Sequence, residues 1–191
     1  MTSKNFLNKK GKNCFGRSLF LGSGQSIRIK NLAMLIASHF SSAHLKLIHF
    51  GSIPSNKFDN VGYKFDHLKT ILDNVSKIEK IGVCFDTQHG FASGFDIRTE
   101  NGWNSTFDEF DKKIGLDNLK VFHVNDSKKE CGSRVDRHAS IGKGLLTMET
   151  FWCLVNDKRF TNLPMILETP DPTIYESEIK LLEQLKGSKK P

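Results

Sequence analysis

The chain has 191 residues, of which 38% are hydrophobic and 26% charged, a balance typical of a folded globular domain. No apolar stretch approaches the roughly 18 residues that a membrane-spanning helix needs, and no signal-peptide pattern follows the basic N-terminus, so the sequence argues against a membrane protein and predicts an intracellular one. The net charge of +7 favours a polyanionic partner such as nucleic acid.

Predicted strands and helices alternate along the chain. Residues 1–15 are expected to form a loose basic arm, residues 16–186 a single domain, and residues 187–191 a fraying tail. Apolar runs and helical spacing predict strands at 18–21, 45–50, 81–86, 119–124 and 164–168, with helices near 27–39, 64–78, 105–114, 147–156 and 174–186. About five such β-α units predict an α/β fold with a parallel sheet covered by helices.

The four cysteines, at positions 14, 84, 131 and 153, include no C-x-x-C pair. In a reducing compartment this spacing predicts free thiols rather than disulfides or a thiolate metal site.

Three of the predicted strands end in residues that can bind a metal ion. Asp86 closes the strand at 81–86, His123 lies at the end of 119–124, and Glu168 closes 164–168. Parallel strands bring their carboxyl ends to one edge of a sheet or barrel, so these side chains are expected to converge. Each residue alone has an ordinary alternative as a core histidine or a surface acid. Together they favour shared cations, because several buried ionisable groups need a compensating partner.

Three further candidates lie beside them. His89 follows in D-T-Q-H, and Asp136 and His138 stand in D-R-H. Imidazole nitrogen and carboxylate oxygen are ligands that zinc accepts, and manganese or iron could accept the same mixed set. The sequence therefore predicts a cluster of divalent ions.

Several long motifs resemble those of endonuclease IV, the zinc-dependent apurinic/apyrimidinic endonuclease family. They are IGVCFDTQHGFASGFD at 81–96, FHVNDSKKECGSRVDRHASIGKG at 122–144, PMILETP at 164–170 and GYKFDHL at 62–68. The resemblance runs in order from Val61 to about Lys186.

This resemblance implies a (β/α)8 TIM-barrel type fold with up to three zinc ions. It implies a DNA repair endonuclease that hydrolyses the phosphodiester bond 5′ to abasic sites in double-stranded DNA with a zinc-activated water and no protein nucleophile. By motif, one zinc would be held by Asp86, His123 and Glu168, and another by His89, Asp136 and His138.

The N-terminal half departs from the family pattern. A complete barrel has eight β-α units and about 250 residues, so the barrel is expected to be incomplete, with about five units. The family's bridging glutamate precedes the G-Y-K-F stretch, but HFGSIPSNKFDN here contains none. His49 resembles the family's H-P-G-S histidine, or is an ordinary strand histidine; His39 and His44 are weaker candidates for the other early ligand. One or two zinc ions are expected.

Basic residues cluster in the loop that carries Asp136 and His138. Lys128, Lys129, Arg134, Arg137 and Lys143 are candidate contacts to DNA phosphates, or simply solvated loop residues. Nearby aromatic residues either wall the pocket or belong to the core: Phe91, Phe95 and Trp103.

Three functions remain open. The first is an active abasic-site endonuclease. The second is a degenerate relative that binds metal or DNA without cutting, which the missing glutamate favours. The third is a sugar isomerase-like metal barrel, against which the N-D-S, G-S and D-x-H series and the basic charge argue.

Overall fold

The computed structural model describes residues 6–7, 46–50, 65–73 and 81–191. The strands are β1 (Phe6–Leu7), β2 (Lys46–Phe50), β3 (Ile81–Asp86), β4 (Leu119–Val124), β5 (Asp126–Ser127), β6 (His138–Ala139) and β7 (Met165–Leu167). The α-helices are α1 (Phe65–Asp73), α2 (Thr87–Ala92), α3 (Glu100–Ile114), α4 (Met148–Asn156) and α5 (Tyr175–Leu185). The predicted strand at 18–21 and helix at 27–39 lie outside the described residues. None of the helices described has the length and apolarity to cross a bilayer.

Five strands form one parallel sheet in the order β1-β7-β4-β3-β2. The first strand along the chain thus lies beside the last, as it does where a parallel sheet curls into a barrel. The predicted α/β fold with a parallel sheet is confirmed. Within this sheet the carboxyl ends of β3, β4 and β7 share one edge, and Asp86 pairs with His123 across it.

Residues near both ends of the chain make hydrogen bonds to the rest of the domain. Phe6 and Leu7 pair in parallel with Met165 and Ile166 of β7, because the edge of that strand offers unpaired backbone groups. At the other end, the Gly187 amide donates to Asn156 Oδ1 at 2.6 Å. The bounds of the basic arm, the domain and the tail stay predictions.

Two helices around β3 differ from the sequence prediction. The helix predicted near 105–114 begins at Glu100, because Thr99 Oγ1 accepts the Gly102 amide at 3.1 Å and caps it. Gly102 is a weak helix former, so helical spacing alone placed the start too late. The short helix α2 was not predicted, since it has only six residues and follows the strand directly.

The core between the sheet and α3 is aromatic. Phe107 is fully buried, with its ring centroid 5.0 Å from that of Phe85 and 4.7 Å from that of Phe160. Trp103 packs on Phe107 at 4.6 Å and is 1% exposed. Of the aromatic residues considered as pocket walls, Phe91 and Trp103 are therefore core, and Phe95 is a partly buried residue packed against that core.

Replacing Phe107 with alanine is expected to lower the free energy of unfolding by about 3–5 kcal/mol, because it leaves a cavity among closely packed rings. Denaturant unfolding of purified protein measures this change. Leu145→Ala is the matched control, since Leu145 is 39% exposed and its loss should change stability by less than about 0.5 kcal/mol. Equal losses in the two variants would show that Phe107 does not lie in the principal core.

Candidate metal centre

Asp86 links the end of β3 to the start of α2. Its Oδ1 caps that helix by accepting the amides of Gln88 at 2.8 Å and His89 at 3.1 Å. Aspartate is favoured at this position because it satisfies amides that have no partner inside the helix. The tight turn brings the His89 ring back toward the strand end, with Nδ1 3.7 Å from Asp86 Oδ2.

One group of predicted ligands forms across three neighbouring strands. His123 Nδ1 lies 2.8 Å from Glu168 Oε2 and 3.8 Å from Asp86 Oδ2. His123 and Asp86 are buried, and Glu168 is partly buried. The parallel register accounts for this meeting, because β3, β4 and β7 end at the same edge of the sheet.

The other predicted group is tighter. Asp136 Oδ1 lies 3.2 Å from His89 Nε2 and 3.3 Å from His138 Nε2, and these two nitrogens are 3.3 Å apart. A tetrahedral zinc with ligands at about 2.1 Å separates them by about 3.4 Å. The three atoms therefore have the mutual spacing of ligands around one such ion.

Asp86 lies between the two groups. Its Oδ2 is 3.9 Å from His138 Nε2, and it joins His89 and His138 in one set of ligand atoms within 4.8 Å and His123 and Glu168 in another. The two candidate sites are thus adjacent and form one pocket.

Contacts outside the ligand set hold these rings and carboxylates in place. His138 Nδ1 lies 3.2 Å from the Glu168 carbonyl oxygen, which can only accept, so Nδ1 carries the proton and Nε2 presents its lone pair to the pocket. The Asn125 side-chain amide donates to Asp86 Oδ2 at 2.8 Å. Both contacts are typical of the second layer around a metal ion.

The pocket is strongly acidic. Burial lowers the pKa of His89, but the Asp86 charge and the hydrogen bond to Asp136 outweigh it and raise that pKa to about 9. The hydrogen bond from His89 in turn lowers the pKa of Asp136. His89 Nδ1 is buried and has no hydrogen-bond partner among the described residues. An environment of carboxylates that favours positive charge beside His89 Nε2 fits a divalent cation.

The thiols that the structure describes do not offer a nucleophile. Cys84, Cys131 and Cys153 are free, as predicted. Burial, which is the largest cause for each, raises the pKa of all three thiols and brings that of Cys153 to about 12. A thiol with so high a pKa is protonated at neutral pH and is a weak nucleophile.

The predicted DNA-contacting residues lie on the surface of the loop that carries Asp136 and His138. Lys128, Lys129, Arg134, Arg137 and Lys143 are all exposed. Among the described residues, no ion pair involves Lys128, Arg137 or Lys143. These charges therefore remain available to an anionic partner.

The early histidines lie at or beyond the limit of the described residues. His49 is on β2, where its Cα pairs with that of Cys84, but its side chain is outside the described part. His39, His44 and the stretch 51–61 are outside it as well. A ligand role for His49 stays a prediction.

The sequence analysis missed several polar residues that shape the pocket. Asp126 accepts the amides of Gly144 and Leu146, each at 2.9 Å, and so fixes the loop that carries Lys143. A Cβ at Gly144 would collide with the Asp126 carboxylate, which explains that glycine. Gln88 is another, and its Nε2 donates to the Val135 carbonyl oxygen of the neighbouring loop at 3.0 Å. The sequence did indicate these residues, because Gln88 lies within the D-T-Q-H motif and Asp126 within the N-D-S motif.

The fold and the pocket define the class of protein. The chain belongs to the xylose isomerase-like TIM barrel family, whose model matches residues 53–185. The predicted TIM-barrel type fold is confirmed.

Several of its relatives are named probable endonuclease 4. The probable endonuclease 4 of Campylobacter hominis is 51% identical over 126 residues, which cover 66% of this chain and 45% of that protein. The probable endonuclease 4 of Citrifermentans bemidjiense is 47% identical over 128 residues, covering 67% and 45%. The crystal structure of endonuclease IV from Thermus thermophilus matches with a TM-score of 0.68 and 26% identity, over 83% of this chain and 57% of that one.

The predicted resemblance to endonuclease IV is confirmed. The chain spans less than half the length of the curated relatives it matches.

Proposed function

We propose that the chain is a zinc-dependent DNA repair endonuclease that hydrolyses the phosphodiester bond 5′ to abasic sites. The observation that carries the proposal is the meeting of two ligand groups in one pocket, with Asp86 within reach of both. The names of its relatives, probable endonuclease 4, support the same reaction class.

Each ligand group would hold one ion. Asp86, His123 and Glu168 would bind the first, and the second would be bound by His89, Asp136 and His138. Zinc in such sites activates water near neutral pH and neutralises charge on phosphate and leaving oxygens. The chain itself would contribute the carboxylates of the two ligand groups, of which Asp86 is buried, a His138 ring oriented by the Glu168 carbonyl, and exposed basic residues, and no side chain has to act as a nucleophile.

The exposed basic loop suits a DNA substrate. Lys128, Arg137 and Lys143 flank the pocket and would contact backbone phosphates, which position a duplex without reading its sequence. An abasic residue is extruded from the stack at low cost because no base has to be unpaired. Selectivity for damage then needs no contact to a base edge.

A nicking assay tests the proposal. Purified chain loaded with zinc is incubated with a duplex that carries one abasic site, and with the same duplex undamaged. We expect a single nick 5′ to the abasic site, no nick in the undamaged duplex, and no nick by Asp136→Ala. Equal nicking by Asp136→Ala would identify a contaminating nuclease and contradict the assignment.

Binding to DNA is expected to weaken steeply with salt through the basic loop. Removing one phosphate contact should reduce the slope of the logarithm of the DNA-binding constant against the logarithm of the salt concentration by about 0.9 for B-form DNA. We expect this change for Arg137→Ala and Lys143→Ala, measured by fluorescence anisotropy on an abasic duplex. Lys180→Ala is the control, since Lys180 lies on α5 and pairs with Glu176 at 2.8 Å. An unchanged slope in both loop variants would remove that loop from the DNA-binding surface.

A second candidate function is binding without cleavage. The absence of glutamate from HFGSIPSNKFDN favours it. This candidate predicts that the wild-type chain binds zinc and the abasic duplex but leaves it intact. Conversion of a free aldose by the same preparation would instead indicate a sugar isomerase.

A further inference from the structure

Gln88 lies between the ligands Asp86 and His89 and is fully buried. Its side chain reaches across to the loop of the other ligands: Nε2 donates to the Val135 carbonyl oxygen at 3.0 Å. Val135 directly precedes Asp136. We propose that Gln88 is a positioning residue that holds Asp136 and His138 against His89. This inference rests on the metal centre of the proposed function.

The base of the loop is closed by the antiparallel pairing of β5 with β6, in which Ser127 pairs with His138, and by the Lys128 amide, which donates to the Arg137 carbonyl oxygen at 2.9 Å. These contacts restrain the His138 side of the loop, whereas the Gln88 contact lies on the other side of Asp136. From Lys128 to Arg137 no residue is fully buried, and none lies in a helix or strand. The middle of the loop is attached to the last turn of α2 by two backbone hydrogen bonds. The Gly132 amide donates to the Phe91 carbonyl oxygen at 3.0 Å, and the Arg134 amide donates to the Ala92 carbonyl oxygen at 2.8 Å. Gln88 adds a side-chain contact from the first turn of the same helix, one residue before Asp136.

The backbone of the loop also needs to be held. Arg134 has a φ of 59°, in the left-handed region that side-chain-bearing residues seldom occupy. Such conformations persist where surrounding contacts enforce them. The hydrogen bonds at Arg134 N and Val135 O stand on either side of this strained position and direct the chain toward Asp136.

The amide at position 88 is not explained by packing. Gln88 Oε1 is buried and has no hydrogen-bond partner among the described residues, which costs stability. Methionine or leucine would fill the space without that cost. The donor Nε2 is therefore the group that matters: it donates to the backbone carbonyl oxygen of Val135 beside a ligand at 3.0 Å, and more weakly to Ser127 Oγ at 3.5 Å. The three ligand atoms lie only 3.2–3.3 Å apart, so a small shift of Asp136 would spoil their geometry.

The test compares zinc affinities of the full chain and two variants, Gln88→Met and Gln88→Leu. Zinc is titrated against a chromophoric chelator. The variants Asp136→Asn and Glu168→Gln each weaken one of the two proposed sites, which identifies the binding step of each ion. We expect the ion of His89, Asp136 and His138 to bind about 10–100-fold more weakly in both variants, as for other residues that orient metal ligands. The ion of His123 and Glu168 should bind as in the wild type. Gln184→Met, on exposed α5, is the control.

Cobalt(II) absorption adds a readout that general destabilisation would not move. We expect an altered visible spectrum for the weakened site only, while thermal unfolding of the metal-free variants matches that of metal-free wild type.

Unchanged affinity at both sites would overturn the proposal. So would equal weakening of both, or loss of folding in both Gln88 variants, because Gln88 would then serve the fold as a whole. A wild-type chain that binds no zinc contradicts the proposed function and this inference alike; zinc binding unaffected by Gln88 contradicts only the latter.

Discussion

The Asp86→Asn variant is expected to lose nicking of the abasic duplex by at least about a thousandfold. Asp86 is within reach of both ligand groups, so losing its charge weakens both candidate ions. Metal ions contribute several kcal/mol to stabilising the transition state of such reactions, and each 1.4 kcal/mol corresponds to tenfold in rate. Single-turnover nicking at saturating enzyme measures the loss.

Asparagine is chosen because it separates the metal role of Asp86 from its structural role. Asparagine caps a helix as well as aspartate does, so the hydrogen bonds from the Gln88 and His89 amides are retained. Asn125 Oδ1 has no partner among the described residues, and turning that amide lets it accept from the new side chain. The variant should therefore fold.

The control for Asp86→Asn is Asp117→Asn, an exposed aspartate in the turn before β4. It changes the net charge equally and should nick at the wild-type rate. Nicking by Asp86→Asn within tenfold of wild type would show that Asp86 is not a ligand.

Removal of zinc is expected to destabilise the fold strongly. A ligand that binds only the native state stabilises it by about 4 kcal/mol when present at 1,000 times its Kd. For a chain of this length each kcal/mol moves Tm by about 2–4 °C, so stripping a single such ion should lower Tm by about 10 °C. Scanning calorimetry with and without chelator, followed by added zinc, measures the shift and its reversal.

The same experiment on Asp86→Asn provides its control. That variant keeps His89, Asp136 and His138, so its Tm should lie between those of the zinc-loaded and metal-free wild type, and chelator should lower it by less than it lowers the wild-type Tm. If chelator leaves the wild-type Tm unchanged, the two ligand groups do not hold tightly bound ions, and the acidic pocket has another role.

The strands and the ligand-bearing positions were predictable because they depend on local pattern. Apolar runs predicted three strands, of which one ends at Asp86, one ends a residue after His123 and one ends a residue before Glu168, and parallel strands have one carboxyl edge. The pattern was weaker for α2, which follows β3 directly and is capped by Asp86, and for the start of α3, which is capped by Thr99. Sequence spacing does not show which side chain will satisfy a helix end.

The sequence by itself determined the family, the parallel sheet and the identity of six candidate ligands, since motifs and alternation are properties of neighbouring residues. The tertiary structure decided how those ligands group. It placed Asp86 between two sets, set the His138 tautomer through the Glu168 carbonyl, and joined Gln88 to Val135 across 47 positions. Such contacts depend on distances between segments far apart in the chain, and only the packing of strands and loops sets those distances.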